Sequence, residues 1–384
     1  MDSLLLAALL AAASPGGHEG HEGHQGHEGG LAWTLDSWEI AAHGFVNTVW
    51  DHQGGRRGGD MNFSNSMFMA AAARSWNEGY LELRGMLSLD PAMGPRGYPL
   101  LFQTGESADG RFELIDRQHP HDFFMELSAR YSRPWAGGTW FVYAGLPGEA
   151  ALGPPAFMHR ASGVRIPEAP ISHHWLDSTH VSMGVVTLGV RRGEWTFEAS
   201  RFNGREPDHH RWDIESRSLD STSARITWSP APGWSLQTSH GDLREPDSPS
   251  LLARALRIRR DTASVVHEGR WLGLPWATTL AWGRNDKTTE HTRNRLPAWL
   301  LESTVVLREG HALFLRAERI THDESTIPLT YRKVSAGYIV DIAQTGPVRW
   351  SLGGLASYLR PAEITRFFYG DRPRAYMLFV QARV

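Results

Sequence analysis

What constrains this chain most is a period of two that keeps returning, separated by joins that alternate between tight and long. Trp38, Ile40, Ala42, Gly44 and Val46 alternate with Glu39, Ala41, His43 and Phe45. Leu81, Leu83, Gly85 and Leu87 alternate with Glu82, Arg84, Met86 and Ser88, and Leu301, Ser303, Val305 and Leu307 with Glu302, Thr304, Val306 and Arg308. Successive side chains of a strand point to opposite faces, so each such segment has one apolar and one polar face. About sixteen segments of this kind follow one another, the first near residue 36 and the last near residue 374. The joins at 75–79, 133–138, 192–194, 229–233, 271–274, 309–310 and 344–347 are tight, and the intervening ones are long. A soluble sandwich or solenoid has no reason to sort its loops this way. A transmembrane barrel does, because its two rims face different compartments. The expected fold is all-β: an antiparallel up-and-down barrel of about 16 strands over residues 35–384, long loops at one rim and short turns at the other.

Tryptophan placement agrees. Trp76, Trp135, Trp195, Trp228, Trp234, Trp271, Trp276 and Trp350 stand beside the tight joins, as a girdle at a headgroup interface would. The apolar run Leu4–Ala13 is too short to span a bilayer, and residues 1–13 read as a signal peptide, although Asp2 stands where a basic residue is usual. That places the barrel in an outer membrane with both termini on the periplasmic side. A net charge of −3 leaves no nucleic-acid footprint. With no cysteine, there is neither a disulfide framework nor a thiolate, so any metal must be held by His, carboxylate or Met.

Residues 14–34 form a Gly-rich arm in which His18, His21, His24 and His27 recur at every third position. It reads either as a solubilising linker or as a flexible device for capturing Cu²⁺ or Zn²⁺.

Chemistry concentrates between Asp116 and His180. His119, His121 and Asp122 form one group in DRQHPHD, and His173, His174, Asp177 and His180 form a second in SHHWLDSTH. Several imidazoles with a carboxylate suit Zn²⁺ or Cu²⁺ better than Mg²⁺ or Ca²⁺, and Met158 beside His159 would admit Cu(I). A second reading has these residues hydrogen-bonded into a closed plug with Arg117, Arg160 and Arg165. A third is a rim hydrolase built from Ser172, Ser178, the histidines and Asp177, although no GxSxG elbow occurs. The protein is otherwise not expected to be an enzyme, and no cofactor is required. His209 and His210 offer a weaker metal group. Glu82, Arg84, Glu126, Arg130, Glu302, Arg308, Arg316 and Glu318 fall on lumen-facing positions, and their mixed sign predicts a wet pore without strong charge selectivity. Arg254, Arg257, Arg259 and Arg260 suit the phosphates of lipopolysaccharide.

The strings DRQHPHDFFMELS, GPPAFMHR, PISHHWLDSTH and ASRFNGREPDHHRWDIE, between about Asp116 and Asp261, resemble a family of uncharacterised proteobacterial outer-membrane barrel proteins. That resemblance implies a location and no mechanism. A looser similarity to sixteen-stranded porins implies that Pro147–Ser178, between the fifth and sixth strands, folds into the lumen as a His-rich constriction. The expected function is a porin-like channel for small solutes linked to transition-metal handling, with His119 and His121 approaching His173 and His174. The substrate and the oligomeric state cannot be read from the chain.

Overall fold

The computed structural model of the protein describes residues 30–215, 217–246, 255–324 and 327–384. The stretch expected to be a signal peptide and the repeat of His18, His21, His24 and His27 lie outside the described residues. The strands in chain order are β1 (Leu31–Leu35), β2 (Trp38–Gln53), β3 (Gly59–Trp76), β4 (Gly79–Leu87), β5 (Tyr98–Ser107), β6 (Glu113–Gln118) and β7 (Phe124–Trp135). They continue as β8 (Gly138–Gly145), β9 (Val185–Arg192), β10 (Trp195–Phe202), β11 (Ser221–Trp228), β12 (Trp234–Arg244) and β13 (Arg257–Trp271). The last six are β14 (Leu274–Thr288), β15 (Arg293–Arg308), β16 (His311–His322), β17 (Leu329–Thr345), β18 (Val348–Arg360) and β19 (Arg374–Arg383).

Sixteen of them, β2–β4 and β7–β19, pair antiparallel with their chain neighbours, and β19 closes on β2 from Ala375↔Gln53 to Arg383↔Phe45. Gly44 and Val384 exchange the last pair of ladder bonds at 3.2 and 2.9 Å. β1 pairs with β2 from Leu31↔Ala42 to Leu35↔Trp38, inside the stretch assigned to the arm. It covers the edge of β2 that runs on past the end of β19, so no bare edge is left there.

One rim has the tight turns 77–78, 136–137, 193–194, 229–233, 272–273, 309–310 and 346–347. Asn77 and Glu78 both adopt positive φ, 47° and 60°, the backbone that a two-residue hairpin needs to match the twist of its strands. The other rim carries 88–123, 146–184, 203–220 and 361–373, with shorter connections between. Trp76, Trp135, Trp195, Trp234, Trp271 and Trp350 are exposed beside the tight turns, and Leu188, Leu280, Leu313, Leu352 and Leu378 are exposed along the wall above them. An apolar outer band flanked by aromatics is what a hydrocarbon layer requires.

The wall is uneven. β8, β9, β10 and β11 have 8 residues each, whereas β13 and β14 have 15 and β17 has 17. The connections 88–123, 146–184 and 203–220 leave from this short side and turn inward.

The interior departs from the expected wet pore. Residues 146–184 cross the lumen and hydrogen-bond to the wall on several sides, from β3 and β10 to β15 and β17. Ala151 N–H donates to Ser200 Oγ of β10 at 2.9 Å, Gly153 N–H to Ser239 Oγ of β12 at 2.8 Å, and Asn65 of β3 to the Pro167 carbonyl at 2.8 Å. Arg160 is fully buried, donating to Asp177 at 2.5 Å and to Glu302 of β15 at 2.9 Å, while Arg316 of β16 pairs with Glu302 at 2.8 Å. Glu168 accepts from Lys333 of β17 at 2.7 Å, and Glu318 accepts from Ser172 Oγ at 2.8 Å. Glu302 and Arg316, expected to line water, are therefore the wall's half of a buried ion network in which each has a charged partner, and Glu318, expected to line water too, is covered by Ser172. Glu126 is also buried, beside Tyr143 at 2.9 Å. Arg84 lies 3.2 Å from Glu82 and 3.4 Å from Glu126, and Arg130 stacks 3.9 Å over the Phe141 ring. Arg308 is exposed by the turn instead of inside, because a bulge between Val306 and Arg308 breaks the alternation.

A second element fills the lumen. β5 and β6 pair only with each other, and Leu100, Leu101 and Phe102 are buried against Tyr331, Tyr369 and the inner face of β15–β19. Phe102, Glu106 and Asp116 hold positive φ of 74°, 52° and 57° in this hairpin, strain of the kind that collects at functional sites.

Candidate metal centre in the lumen

Between β6 and β7 the chain passes through the lumen as His119-Pro120-His121-Asp122, with Pro120 keeping both flanking residues extended. Facing it is the end of the crossing loop: one helical turn, His173–Leu176, followed by a 3-10 turn, Ser178–His180. Five buried imidazoles meet there. Ring centroids lie 6.3 Å apart for His119 and His173, 5.5 Å for His119 and His174, 5.6 Å for His121 and His180, and 5.1 Å for His173 and His180. The expected approach of the two histidine pairs is what the structure shows.

Within this group His121, His173 and His180 each present a ring nitrogen, and the three nitrogens lie within 4.8 Å of one another. On all three rings Nδ1 is engaged. Nδ1 of His121 lies 3.0 Å from Asp90 Oδ2, Nδ1 of His173 lies 2.7 Å from Asp177 Oδ1, and Nδ1 of His180 donates to the Asp177 carbonyl at 2.8 Å. Nε2 of His121 and Nε2 of His180 are buried and meet no protein partner. A carboxylate or carbonyl behind the ring fixes its tautomer and raises its basicity toward a metal on the far side. Beside the three, His174 Nδ1 lies 2.6 Å from Glu206 and His119 Nδ1 meets the Pro120 carbonyl at 3.2 Å with Glu106 nearby, and both Nε2 atoms are also buried and unpartnered.

Electrostatics favour neutral rings. Burial pushes His173 down to about 4, against the pull of Asp177, and burial with the neighbouring His173 and His121 pushes His180 down to about 3. Burial and Arg211 hold His119 well below the usual imidazole range. The lone pairs are thus free of protons at neutral pH. Burial works to raise Asp177, but Arg160 and His173 outweigh it and keep the carboxylate charged. Three imidazoles, two backed by carboxylates and one by a carbonyl, form a donor set that suits Zn²⁺ or Cu²⁺.

Neither expected carboxylate is among the three close donors. Asp177 stands behind His173 and joins Arg160. Asp122 pairs with Arg211 at 3.2 Å, and burial raises it to about 6 despite that partner. Sequence reasoning missed Asp90, Glu106, Glu206 and Arg211. Arg211 joins Glu106 and Asp122, locking the segment around His121 to residues 203–220. Glu206 and Arg211 carried a signal, both standing in the EPDHHRWD string.

The hydrolase arrangement does not form. Ser172 Oγ donates to Glu318, and Ser178 Oγ accepts from Arg260 at 3.0 Å, so among the described hydrogen bonds neither hydroxyl meets an imidazole. Arg260 is buried and points into the lumen, donating to Asn285 at 2.9 Å, which removes it from any lipid-facing phosphate site. Arg257 pairs with Asp242, Arg259 is exposed, and Arg254 lies outside the described residues.

No protein-family model and no curated protein matches the chain. The fold is similar to solved outer-membrane porins. OprB of Pseudomonas putida has a TM-score of 0.57 at 10% identity, covering 91% of this chain and 94% of that one. OmpF of Salmonella typhi gives 0.56 at 9% identity, with 91% and 100% covered. An anion-selective porin of Comamonas acidovorans gives 0.52 at 9% identity, with 90% and 100% covered. At this identity the likeness is one of fold: the chain is a closed sixteen-stranded antiparallel barrel of porin type.

Proposed function

We propose that the chain is an outer-membrane barrel, short turns toward the periplasm, that handles transition-metal ions and holds one in its lumen on His121, His173 and His180. One observation carries this reading: three buried imidazole nitrogens within 4.8 Å, each on a ring whose far side is engaged by Asp90, Asp177 or a carbonyl. A purely structural plug would pair Nε2 of His121 and of His180 with protein donors, since an unpaired buried polar atom costs about 1–3 kcal/mol. The crossing loop closes the pore at rest. Because His121 belongs to the 119–123 segment and the other two to the crossing loop, the ion ties two lumen elements together. Small solutes or ions pass only when the crossing loop yields.

The test uses the full chain purified in detergent and loaded with Zn²⁺ or Cu²⁺. Metal analysis should find about one equivalent retained after dialysis, and His121→Ala should lose it. Planar-bilayer recording should find the intact protein silent and a variant lacking residues 147–178 conducting. No retained metal would defeat the first half of the reading, and ohmic steps from intact protein the second.

A further inference from the structure

Six of the ten methionines in the chain, Met67, Met69, Met86, Met125, Met158 and Met183, are buried in one cluster inside the barrel. We propose that this cluster is a second metal site, distinct from the three imidazoles, that takes a soft monovalent cation, Cu(I), through thioether sulfur.

The location is the first argument. Met67 and Met69 point inward from β3, Met86 from β4 and Met125 from β7, on the face that a barrel of this kind fills with polar side chains or water. Met158 and Met183 come from the crossing loop and its return, so the cluster has both a wall side and a loop side. Composition is the second. The larger lumen core, around Leu100, Ile171, Trp175 and Leu359, has 25 buried members and a single methionine, Met377. The chain uses Leu, Ile and aromatics where the lumen merely packs. In the methionine cluster Leu and Ile are absent among the buried members, and the remainder are Ala156, Phe157, Ala169 and Val181. Thioether is the one soft donor available to a protein without cysteine, and it selects Cu(I) over Zn²⁺ or Mg²⁺.

Position along the barrel is the third. Phe157 belongs to the cluster and packs 6.1 Å from the His121 ring and 5.5 Å from the His173 ring, so it forms a shared wall between sulfurs and imidazoles. On the other side Phe45, paired with Met67 across β2 and β3, also lines a cavity of about 170 Å³ that reaches Arg383 and Val384 at the short-turn end. The thioethers therefore stand between the imidazole centre and a space opening toward the short-turn rim. They are the station an ion would meet next on that route.

The experiment is an anaerobic competition for Cu(I) between the full chain in detergent and a chromophoric Cu(I) chelator. Met→Leu keeps volume and hydrophobicity nearly constant, so Met67→Leu, Met69→Leu, Met86→Leu and Met125→Leu together should leave the barrel folded. That variant should lose Cu(I) affinity by at least about a hundredfold while keeping Zn²⁺ on the imidazoles, soft donors being what favours Cu(I). The triple variant His121→Ala, His173→Ala, His180→Ala should lose Zn²⁺ and keep Cu(I). X-ray absorption on Cu(I)-loaded wild-type protein, which needs no variant, should show sulfur neighbours of the copper. Copper bound by nitrogen alone, or Cu(I) affinity unchanged in the Met→Leu variant, overturns the proposal. Sulfur-bound Cu(I) without any Zn²⁺ binding would instead defeat the imidazole reading and leave this one standing.

Discussion

Among the described residues, two groups bring three potential metal ligands together, and they do so for opposite reasons. Asp208, His209 and His210 are neighbours in sequence, partly exposed, and gathered by a local turn: Asp208 Oδ1 already accepts from the His210 backbone N–H at 2.7 Å. Aspartate folding back on the backbone two residues on is ordinary turn chemistry and calls for no ion. His121, His173 and His180 come from two separate segments, are buried, and have no local motif to explain their closeness. Carboxylates back His121 and His173 and a main-chain carbonyl backs His180; behind His210 stands the Asp208 carboxylate that also built the turn. Ligand count is the same in both groups. What separates the two groups is origin and burial: one is assembled from distant segments in the interior, the other by its own turn near the surface.

Several measurements would break or sharpen that contrast, the largest effect first. His121→Ala, His173→Ala and His180→Ala should each weaken Zn²⁺ by more than about a hundredfold in chelator competition, because two imidazoles cannot complete a tetrahedral set. His209→Ala and His210→Ala should change it less than about threefold, and an equal loss in both groups would erase the distinction. Asp90→Asn, which backs His121 through Oδ2 and can keep accepting the Ser66 N–H through Oδ1, should cost about 10- to 100-fold in affinity with little change in melting temperature. Asp177→Asn should add a loss of stability, since it strips Arg160 of one partner in a dry site.

The pH dependence of the metal-free protein should follow from the depressed imidazoles. His173 and His180 titrate near 4 and 3 in the folded chain and near 6.5 when unfolded. Between pH 6.5 and about 4 only the unfolded chain takes up these protons, so stability must fall as pH falls through that window. A melting temperature flat from pH 7 to 4.5 would contradict the burial of neutral rings. Smaller still is Gly105→Ala. A Cβ there would sit 2.6 Å from the His174 ring at a φ of 118°, so the substitution should displace His174 and leave the three-imidazole affinity within about fivefold. The arm offers an independent check: a peptide of residues 16–30 should bind Cu²⁺ or Zn²⁺ with affinity that fades as pH falls through about 6.

Most of the wall was legible because a barrel strand buries one face and greases the other, and Leu301-Glu302-Ser303-Thr304 writes that alternation directly into the chain. β5 and β6 were not. Tyr98–Ser107 is buried on both faces and carries the run Leu100-Leu101-Phe102, so it has no period to read. The histidines declared themselves by type and spacing, and Pro120 and the SHHWLDSTH string placed them at facing segment ends. Their partners did not, since Asp90 and Glu106 are single acids in connections with no motif around them. The closed lumen was invisible for a different reason. Glu302 and Arg316 read as pore-lining because alternation gives a side chain's direction, and only the loop crossing opposite decides whether it meets water or Arg160.

The reach of that crossing loop sets an order of assembly. Arg160 is separated from Glu302 by 142 residues, and Glu168 from Lys333 and Ser335 by 165 and 167. Contacts so distant along the chain cannot reward the loop until the intervening strands are in place, and each such closure slows folding. The segment with two of the three imidazoles is made early and seated last, after β15–β17 exist to receive it. Until then Arg160 and Glu168 are hydrated charges with no reason to enter the lumen. An ion that needs all three rings can recognise only a barrel that has already finished folding.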